Sequence, residues 1–373
     1  MRRVKRPLAW SLNDLASTYT VEEQIGEGVY GKVHKAKNKQ EEVVALKRVK
    51  TNSNSEKEGF PITALREIQI LMQLRHECIV SLKEVVCSDY ERSVYLAFEY
   101  LDHDLNGLIE SAGAGITPQH ARSYVHQLVE GVGFMHERHY LHRDIKASNL
   151  LISRTNHLKI GDWGLARDFA PDGDGSYTNR VITLWYRPPE LLLGATRCCD
   201  GYGPAIDMWS IGCILAELLA GKPILPGTTE TDQLDLIIGL LGTPDAEQWP
   251  GIENLPLWDS FSLKHEEDED DGGPVEADRK KQRKVRDRFA AFDADALDLI
   301  DKMLVYAPND RITAKAAREC AYLRDAKRPN ELPTLNAHSA HEWQVRKLRR
   351  TSSSSSSKPV AAAAAGGDPP QRH

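Results

Sequence analysis

A closely spaced set of glycines near the start of the chain has the pattern expected of a loop that binds phosphate. Gly26, Gly28 and Gly31 form a G-x-G-x-x-G motif, and glycines let backbone N–H groups approach phosphate oxygens without interference from side chains. A dinucleotide-binding turn shares this spacing, but it needs a helix directly after the glycines and an acidic residue about 20 positions later. Residues 32–37 instead alternate as a strand does, and a second strand is predicted at 43–49. The pattern therefore favours a glycine-rich hairpin.

Lys47 lies within the predicted strand 43–49 and shares one face of it with Ala45 and Val49, because side chains alternate along a strand. A lysine on an apolar face needs an anion, since burying an unpaired ammonium group is costly. Glu67 is the candidate partner, on a helix predicted at residues 63–74 from apolar residues at spacings of three and four. The alternative is an edge-strand lysine whose amine reaches water.

Three further motifs follow along the chain. Residues 142–149 read His-Arg-Asp-Ile-Lys-Ala-Ser-Asn, Asp162 begins an Asp-Trp-Gly triplet 18 residues after Asp144, and a Pro-Pro-Glu triplet begins 26 residues after Asp162. With the glycine hairpin and the Lys47–Glu67 pair, these motifs stand in the order and spacing of the protein-kinase family. The chain resembles that family over about residues 19–323.

The elements that must position these residues divide into two parts. Strand patterns dominate from residue 19 to about 101, interrupted by the helix at 63–74, and helical patterns dominate afterwards, for example at 118–136 and 207–219. We therefore expect an α+β, bilobal protein-kinase fold. Its small β-rich N-lobe would span about residues 19–101 and its larger helical C-lobe about residues 102–323.

The resemblance implies a role for each matched residue in transferring the γ-phosphate of ATP. Asp144 would accept or orient the proton of the substrate hydroxyl, Lys146 would neutralise the γ-phosphate, and Thr183 would lie beside them. Asn149 and Asp162 would hold Mg²⁺. Lys47 would hold the α- and β-phosphates and pair with Glu67. The full ATP-binding set implied by the resemblance is Ile25, Gly26, Glu27, Gly28, Val29, Tyr30, Gly31, Lys32, Val33, Ala45, Lys47, Glu67, Phe98, Glu99, Leu101, Asp104 and Leu151.

Two segments narrow the resemblance to the cyclin-dependent kinases. Residues 61–67 read Pro-Ile-Thr-Ala-Leu-Arg-Glu, similar to the cyclin-binding helix of that family, and residues 181–190 are similar to its substrate-binding segment. The likeness is greatest to the transcriptional branch, which includes the kinase of positive transcription elongation factor b and the plant C-type kinases. His341-Glu342-Trp343 also resembles the C-terminal extension of the plant type.

The branch implies a partner, a substrate and a location. We expect a cyclin of the T, K or L type and Ser/Thr-Pro substrates such as the C-terminal repeat of RNA polymerase II. The expected location is the nucleus, with the cytoplasm as a second location. A proline preference is implied because the family's segment offers no partner to the backbone N–H after the acceptor, and proline has none to lose. The alternatives are a cell-cycle-type kinase, or a catalytically weak scaffold that binds a cyclin.

The resemblance also implies regulation by phosphate. A phosphate on Thr178 would meet Arg66, Arg143 and Arg167, whose guanidinium groups suit its oxygens. Tyr30 is a candidate inhibitory site, since Val29 stands where many relatives have a phosphorylated threonine. Two more departures concern the Asp-Trp-Gly triplet: Trp163 replaces the usual phenylalanine, and Gly161 before it is expected to enlarge the pocket slightly.

Composition limits the other function classes. The net charge is −6, and because residues 1–6 carry four basic groups and residues 346–373 carry six, the body between them is strongly acidic. Such a body does not suit direct nucleic-acid binding by the core. The basic ends fit nuclear-import or nucleic-acid contacts, or plain solvated tails.

Several segments depart from a globular pattern. Residues 265–278 hold eight acidic residues and residues 279–288 hold seven basic ones, which predicts a charged insert over about 265–288. We expect a basic flexible arm over residues 1–18 and a C-terminal extension over 324–373, disordered from about 346. The six cysteines form no Cys-x-x-Cys pair, so reduced thiols are expected. No apolar run predicts a membrane span or a secretory leader.

Overall fold

A computed structural model describes residues 9–28, 31–49, 61–88, 93–111, 115–169, 177–200, 202–260, 282–335, 341, 342 and 344. Val29, Tyr30, Trp343, residues 265–281 of the charged insert and the tail from residue 345 lie outside the described residues. The predicted α+β, bilobal kinase fold is confirmed: a β-sheet part comes first and a larger helical part follows.

The sheet of the N-lobe contains six strands within the described residues. They are β1 (Ala9–Asp14), β2 (Tyr19–Gly28), β3 (Gly31–Asn38), β4 (Val43–Arg48), β5 (Leu82–Ser88) and β6 (Ser93–Glu99), in the spatial order β1-β5-β6-β4-β3-β2. Strand β4 is interior, with Lys47 opposite Val33 of β3 and opposite Leu96 of β6. The edge-strand alternative for Lys47 is therefore wrong.

Short strands in the C-lobe carry the catalytic loops. They are β7 (His103–Asp104), β8 (Tyr140–Leu141), β9 (Leu150–Ile152), β10 (Leu158–Ile160) and β11 (Arg167–Asp168). Strand β9 pairs with both β7 and β10, and β11 pairs with β8. The loops between these strands contain the motifs at 142–149 and 162–164.

The helices of the described residues begin with α1 and α2 in the N-lobe. In chain order they are α1 (Leu15–Thr18), α2 (Ile62–Gln73), α3 (Leu105–Glu110), α4 (Pro118–His136), α5 (Pro189–Leu192), α6 (Ala205–Ala220), α7 (Glu230–Leu241), α8 (Val285–Arg288), α9 (Ala294–Met303), α10 (Ala314–Arg318) and α11 (Ala321–Arg324). The predicted helices at 63–74, 118–136 and 207–219 correspond to α2, α4 and α6. None of these helices is long and apolar enough to cross a membrane.

The N-terminal segment differs from its prediction. Residues 9–18 form β1 and α1 and are therefore not part of an unstructured arm, because β1 pairs in parallel with β5. Leu15 is buried with Val44 and Leu46 on the face of the sheet that points away from the C-lobe. The basic residues that suggested an arm end at residue 6, before this apolar segment begins.

Two long C-lobe helices provide the frame of the site. Helix α4 begins at a capped end, where the Thr117 hydroxyl accepts the His120 amide at 3.4 Å and Pro118 occupies the first helical position. Helix α6 is almost entirely buried and includes the carboxylate of Asp207. All six cysteines are free thiols, and two of them, Cys78 and Cys213, are buried.

Candidate active site

A cleft between the sheet and the helical lobe has a cavity volume of about 740 Å³. Its walls come from β2, β3, β4 and β6 on one side and from the loops after β8 and β10 on the other. It gathers most of the predicted ATP-binding residues: Ile25, Gly26, Glu27, Gly31, Val33, Ala45, Lys47, Glu67, Phe98, Glu99, Leu101, Asp104 and Leu151.

Four predicted ATP-binding residues are not among those lining the cavity. Gly28 lies at the end of the hairpin, paired with Gly31. Lys32 lies between Gly31 and Val33, which both line the cavity; the alternation of a strand points it to the other face, where it is exposed. Lys32 as a pocket residue is thus not supported by its position. Val29 and Tyr30 lie outside the described residues.

Lys47 is held between two carboxylates from different elements. Its Nζ donates to Glu67 Oε1 and Oε2 of α2 at 2.9 and 3.0 Å and to Asp162 Oδ1 at 2.8 Å. Burial acts to lower the pKa of Lys47, but the charges of Asp162 and Glu67 raise it above its ordinary value. Lys47 is therefore a permanently charged group at the back of the cleft.

The two carboxylates around Lys47 respond differently to their surroundings. Burial raises the pKa of Glu67, and the charge of Lys47 offsets this only in part. Burial also opposes ionisation of Asp162, yet the charge of Lys47 lowers its pKa below the ordinary value. Asp162 is the more exposed of the two, with 32% of its side chain accessible against 4% for Glu67. Asp162 is therefore the carboxylate that presents an ionised edge to the cleft.

Asp144 is the centre of a hydrogen-bonded group in the catalytic loop. Its Oδ1 accepts the Thr183 hydroxyl at 3.1 Å, and its Oδ2 accepts the Asn149 amide at 3.0 Å. Lys146 Nζ lies 2.8 Å from Asp144 Oδ2 and donates to the Thr183 hydroxyl at 3.1 Å. The four predicted catalytic residues are thus brought together, and a carboxylate with a lysine beside it suits transfer of a proton next to a phosphate.

Asp207 fixes the position of this loop from below. Its Oδ2 and Oδ1 accept the backbone amides of His142 and Arg143 at 3.1 and 3.0 Å, and Oδ2 also lies 2.9 Å from His136 Nε2. Burial would raise the pKa of Asp207, but the hydrogen bond and charge of His136 lower it overall. A fully buried, ionised carboxylate therefore anchors the catalytic loop to α6.

Asn149 and Asp162 offer the donor atoms that a hard divalent cation prefers. The Asn149 side-chain nitrogen donates to both the carbonyl and the carboxylate of Asp144, which leaves its amide oxygen available. Asp162 uses Oδ1 for Lys47, which leaves Oδ2. These oxygen donors suit Mg²⁺, which takes few protein ligands and fills its shell with water and substrate phosphates. In the part of the chain that the structure describes, no group of three or more His, Cys, Asp and Glu residues forms a dedicated metal site.

Gly161, immediately before Asp162, lines the cavity as the sequence predicts. A Cβ atom at this position would lie 3.1 Å from Leu151 Cδ1 and 3.3 Å from the Asn149 carbonyl. Both separations are tighter than ordinary van der Waals contact, so glycine allows the Asp162 segment to lie directly on β9.

The predicted phosphate site is partly assembled. Arg143 is buried, and its Nη1 donates to the Tyr202 hydroxyl at 2.9 Å; that hydroxyl in turn donates to the Thr178 carbonyl at 3.0 Å. Arg143 Nη2 is buried with no hydrogen-bond partner among the described residues. Thr178 itself is exposed. The structure thus links Arg143 to the Thr178 backbone, whereas Arg66 and Arg167 are connected to Thr178 only by the resemblance.

Ile182, next to Thr183, has an unusual backbone. Its φ is 64°, a left-handed value that a β-branched residue adopts only at a cost. The conformation is held because the Ile182 amide donates to the Arg143 carbonyl at 3.0 Å, and its own carbonyl accepts Arg187 Nε and Nη2 at 3.2 and 3.0 Å. The Ile182 carbonyl is consequently occupied by Arg187.

The structure adds pocket residues that no prediction placed there. His341 and Glu342 line the cleft, and the Glu342 amide donates to Asp104 Oδ2 at 2.7 Å. Gln344 Nε2 donates to Glu23 Oε2 of β2 at 3.2 Å. The His-Glu-Trp triplet was the available signal, but only the fold reveals that this distant segment crosses the mouth of the cleft. Asp207 had no local signal beyond its place in an apolar helix.

Comparisons with known proteins agree with this geometry. The protein kinase domain family matches residues 19–323. The chain is 47% identical over 343 residues to cyclin-dependent kinase C-2 of Arabidopsis thaliana, covering 87% of this chain and 63% of that relative. It is 44% identical to cyclin-dependent kinase C-3 of Oryza sativa subsp. japonica, covering 80% of this chain and 89% of that relative. It is 41% identical to CTD kinase subunit alpha of Schizosaccharomyces pombe, covering 87% of this chain and 52% of that relative.

Proposed function

Because this chain belongs to the protein kinase domain family, and within it to the cyclin-dependent kinases, we propose that it phosphorylates Ser/Thr-Pro sites in the C-terminal repeat of RNA polymerase II. The chain spans about 63% of the length of the plant C-2 relative. The name of the fission-yeast relative, CTD kinase subunit alpha, supports this substrate. The observation that carries the proposal is the assembly of Asp144, Lys146 and Thr183 beside an occupied Ile182 carbonyl.

A protein kinase domain binds ATP with a divalent metal ion, and we assign Mg²⁺ to that position. Asp162 and Asn149 would hold it, and when bound it would supply positive charge that offsets the charge of the phosphates. Lys47 binds the α- and β-phosphates. Asp144 accepts or orients the proton of the substrate hydroxyl, and Lys146 neutralises negative charge on the γ-phosphoryl group during its transfer. The distances among these residues, all near 3 Å, support a preorganised site.

The preference for proline follows from the backbone at Ile182. An ordinary residue after the phosphorylated serine or threonine presents an N–H that must be desolvated, and leaving such a donor unpaired costs about 1–3 kcal/mol. The Ile182 carbonyl, next to Thr183 of the catalytic group, is already occupied by Arg187 and has little capacity to accept that N–H. Proline has no N–H, so it avoids this cost.

The proposed partner is a cyclin of the T, K or L type that docks on α2. Ile62, Leu65 and Met72 of this helix are 57%, 41% and 45% exposed, whereas Glu67 on its other side is 3% exposed. Exposed large apolar side chains on one helix face mark a surface for another protein. Docking there would hold Glu67 in the position beside Lys47 that it already has in the chain alone. A nuclear location follows from the proposed substrate.

Phosphate on Thr178 is the proposed second requirement. The buried Nη2 of Arg143 has no hydrogen-bond partner among the described residues, and a phosphate with three acceptor oxygens would supply one. Arg66 and Arg167 complete the proposed site.

The experiment combines the chain with a T-, K- or L-type cyclin or with a cell-cycle cyclin, and measures phosphate transfer to repeated Ser-Pro peptides. We expect activity with a transcription-type cyclin, a loss of at least about 100-fold in Asp144→Asn, a large loss in Thr178→Ala, and little transfer to matched Ser-Ala peptides. Equal transfer by wild type and Asp144→Asn would support a scaffold instead. Activity restricted to the cell-cycle cyclin would contradict the transcriptional assignment.

A further inference from the structure

Trp163 occupies the position after Asp162 and is entirely buried. It begins the 3₁₀ turn Trp163–Leu165, which packs against α2. Its indole Nε1 donates to the Ile160 carbonyl at 3.0 Å. Its ring meets His142 edge-to-face, with centroids 4.9 Å apart and planes at 75°. A phenylalanine could keep the ring contact, but it has no N–H to donate.

The Ile160 carbonyl, which accepts the indole N–H of Trp163, belongs to a residue whose backbone is held by further hydrogen bonds. It also accepts the Val80 amide at 3.0 Å, and the Ile160 amide donates to the Cys78 carbonyl at 2.8 Å. A carbonyl oxygen has two lone pairs, and Val80 and Trp163 occupy both. The indole is therefore hydrogen-bonded to the last residue of β10, and the backbone of that residue is itself bonded to Cys78 and Val80 just before β5.

Asp162 lies between this anchor and a second one. Its φ is 50°, in the left-handed region that non-glycine residues adopt at a cost. On one side, the Gly161 amide donates to the Asn149 carbonyl at 2.8 Å and the Gly161 carbonyl accepts His142 Nε2 at 2.9 Å. On the other side, the Trp163 backbone N–H lies close enough to the Glu67 carboxylate to act against the rise in its pKa. Asp162 keeps its strained backbone because the residues before and after it are both held.

We propose that the Trp163 indole N–H is a positioning group that keeps Asp162 turned towards Lys47 and disfavours the conformation in which Asp162 and the aromatic ring exchange places. Packing of the ring after this aspartate sets the active or inactive state in protein kinases generally, so the inference rests on the kinase function proposed above. In this chain, exchange would break the N–H bond to Ile160 as well as the ring contacts.

The consequence is selectivity between two kinds of ligand. A nucleotide uses the cleft with Trp163 in place. A diaryl urea that fills the space vacated by the ring requires the exchanged conformation, and its apparent affinity is reduced by the small fraction of molecules that adopt it. Loss of one neutral hydrogen bond changes such a fraction by about threefold to tenfold.

The test measures binding of AMP and of a diaryl urea to the full chain by calorimetry. Trp163→Phe and a variant with benzothienylalanine at position 163, which replaces only the N–H, are compared with wild type. Trp209→Phe is the matched control, because Trp209 is equally buried and its Nε1 has no partner among the described residues. We expect both position-163 variants to bind the diaryl urea about threefold to tenfold more tightly, with AMP affinity unchanged, and Trp209→Phe to behave as wild type.

Unchanged diaryl-urea affinity in both position-163 variants would overturn the proposal. So would a parallel loss of affinity for both ligands, which would indicate that Trp163 only stabilises the fold. These binding measurements need neither a cyclin nor a protein substrate. Failure of the repeat-peptide assay would therefore leave this result interpretable, and the two proposals can fail separately.

Discussion

Two of the buried ion pairs, one inside the C-lobe and one in the cleft between the lobes, are built differently. In the C-lobe, Arg311 Nη1 and Nη2 donate to Glu190 Oε1 and Oε2 at 2.8 and 3.0 Å, with both side chains completely buried. The remaining guanidinium N–H groups donate to the carbonyls of Val305, Tyr306 and Ala205. This pair has one charge of each sign and every guanidinium donor satisfied.

The pair in the cleft is not balanced in this way. One ammonium group, Lys47, faces two carboxylates, Glu67 and Asp162, and the three side chains come from β4, α2 and the loop after β10. The second carboxylate leaves the cluster with excess negative charge, which can bind a cation or allow Lys47 to exchange one carboxylate partner for another. We infer that the closed Arg311–Glu190 pair holds the C-lobe together. The cluster of Lys47 with two carboxylates joins separate elements and has unequal charges, so it can respond to a ligand.

The largest expected effect is on the closed pair. Arg311→Met leaves the Glu190 carboxylate buried without a counter-ion, and breaking such a pair costs about 3–5 kcal/mol of the free energy of unfolding. Denaturant unfolding measures it. The double variant Arg311→Met with Glu190→Met should recover much of the loss, since apolar groups need no partner. If Arg311→Met alone were as stable as wild type, the Arg311–Glu190 pair would not stabilise the C-lobe and the contrast with the Lys47 cluster would be wrong.

The next effect is on the open cluster and should appear in catalysis. Lys47→Met removes the phosphate-binding ammonium group, and we expect kcat/KM to fall by about 100- to 1000-fold. The free energy of unfolding should fall by less than in Arg311→Met, because the pKa of Glu67 is already raised and this carboxyl can take up a proton, although Asp162 loses the charge that lowers its pKa. A loss of stability as large as that of Arg311→Met would show that the two pairs are alike.

The smallest effect concerns Glu217, a buried carboxyl of α6 that has no cation beside it in the part of the chain that the structure describes. Burial raises its pKa to about 7, although the Tyr186 hydroxyl, which donates to Oε2 at 2.7 Å, acts in the opposite direction. Because the folded-state pKa lies above the unfolded value, Glu217 stabilises the fold most at low pH, and this contribution is lost as the pH rises towards 7.

Glu217→Gln should therefore flatten the pH dependence of stability. From about pH 4.5 to 7, the free energy of unfolding of wild type is expected to fall by about 3 kcal/mol relative to the variant. Denaturant titrations at several pH values measure this difference. Equal slopes for the two proteins would mean that Glu217 is ionised throughout and that its neighbours compensate the charge as Arg311 does for Glu190.

Local patterns predicted much of the fold and most of the site. Helix α4 has the bounds that the helical pattern at 118–136 predicted. Lys47, Asp144 and Asp162 could be recognised from the spacing of their motifs alone, without knowledge of the fold. Three features could not be read in this way. The pairing of β1 with β5, the φ of Ile182 and the crossing of the cleft by His341 and Glu342 all depend on residues far apart in sequence. Such contacts arise from tertiary packing, which overrides local preference.

The anchoring of the catalytic loop by Asp207 has a consequence for solvent exchange. The amides of His142 and Arg143 end on a carboxylate that is fully buried within α6. Their hydrogens can exchange with water only when the helical core itself opens, so they belong to the slowest-exchanging class of the protein. The loop that carries Asp144 consequently opens to solvent only when the helical core opens.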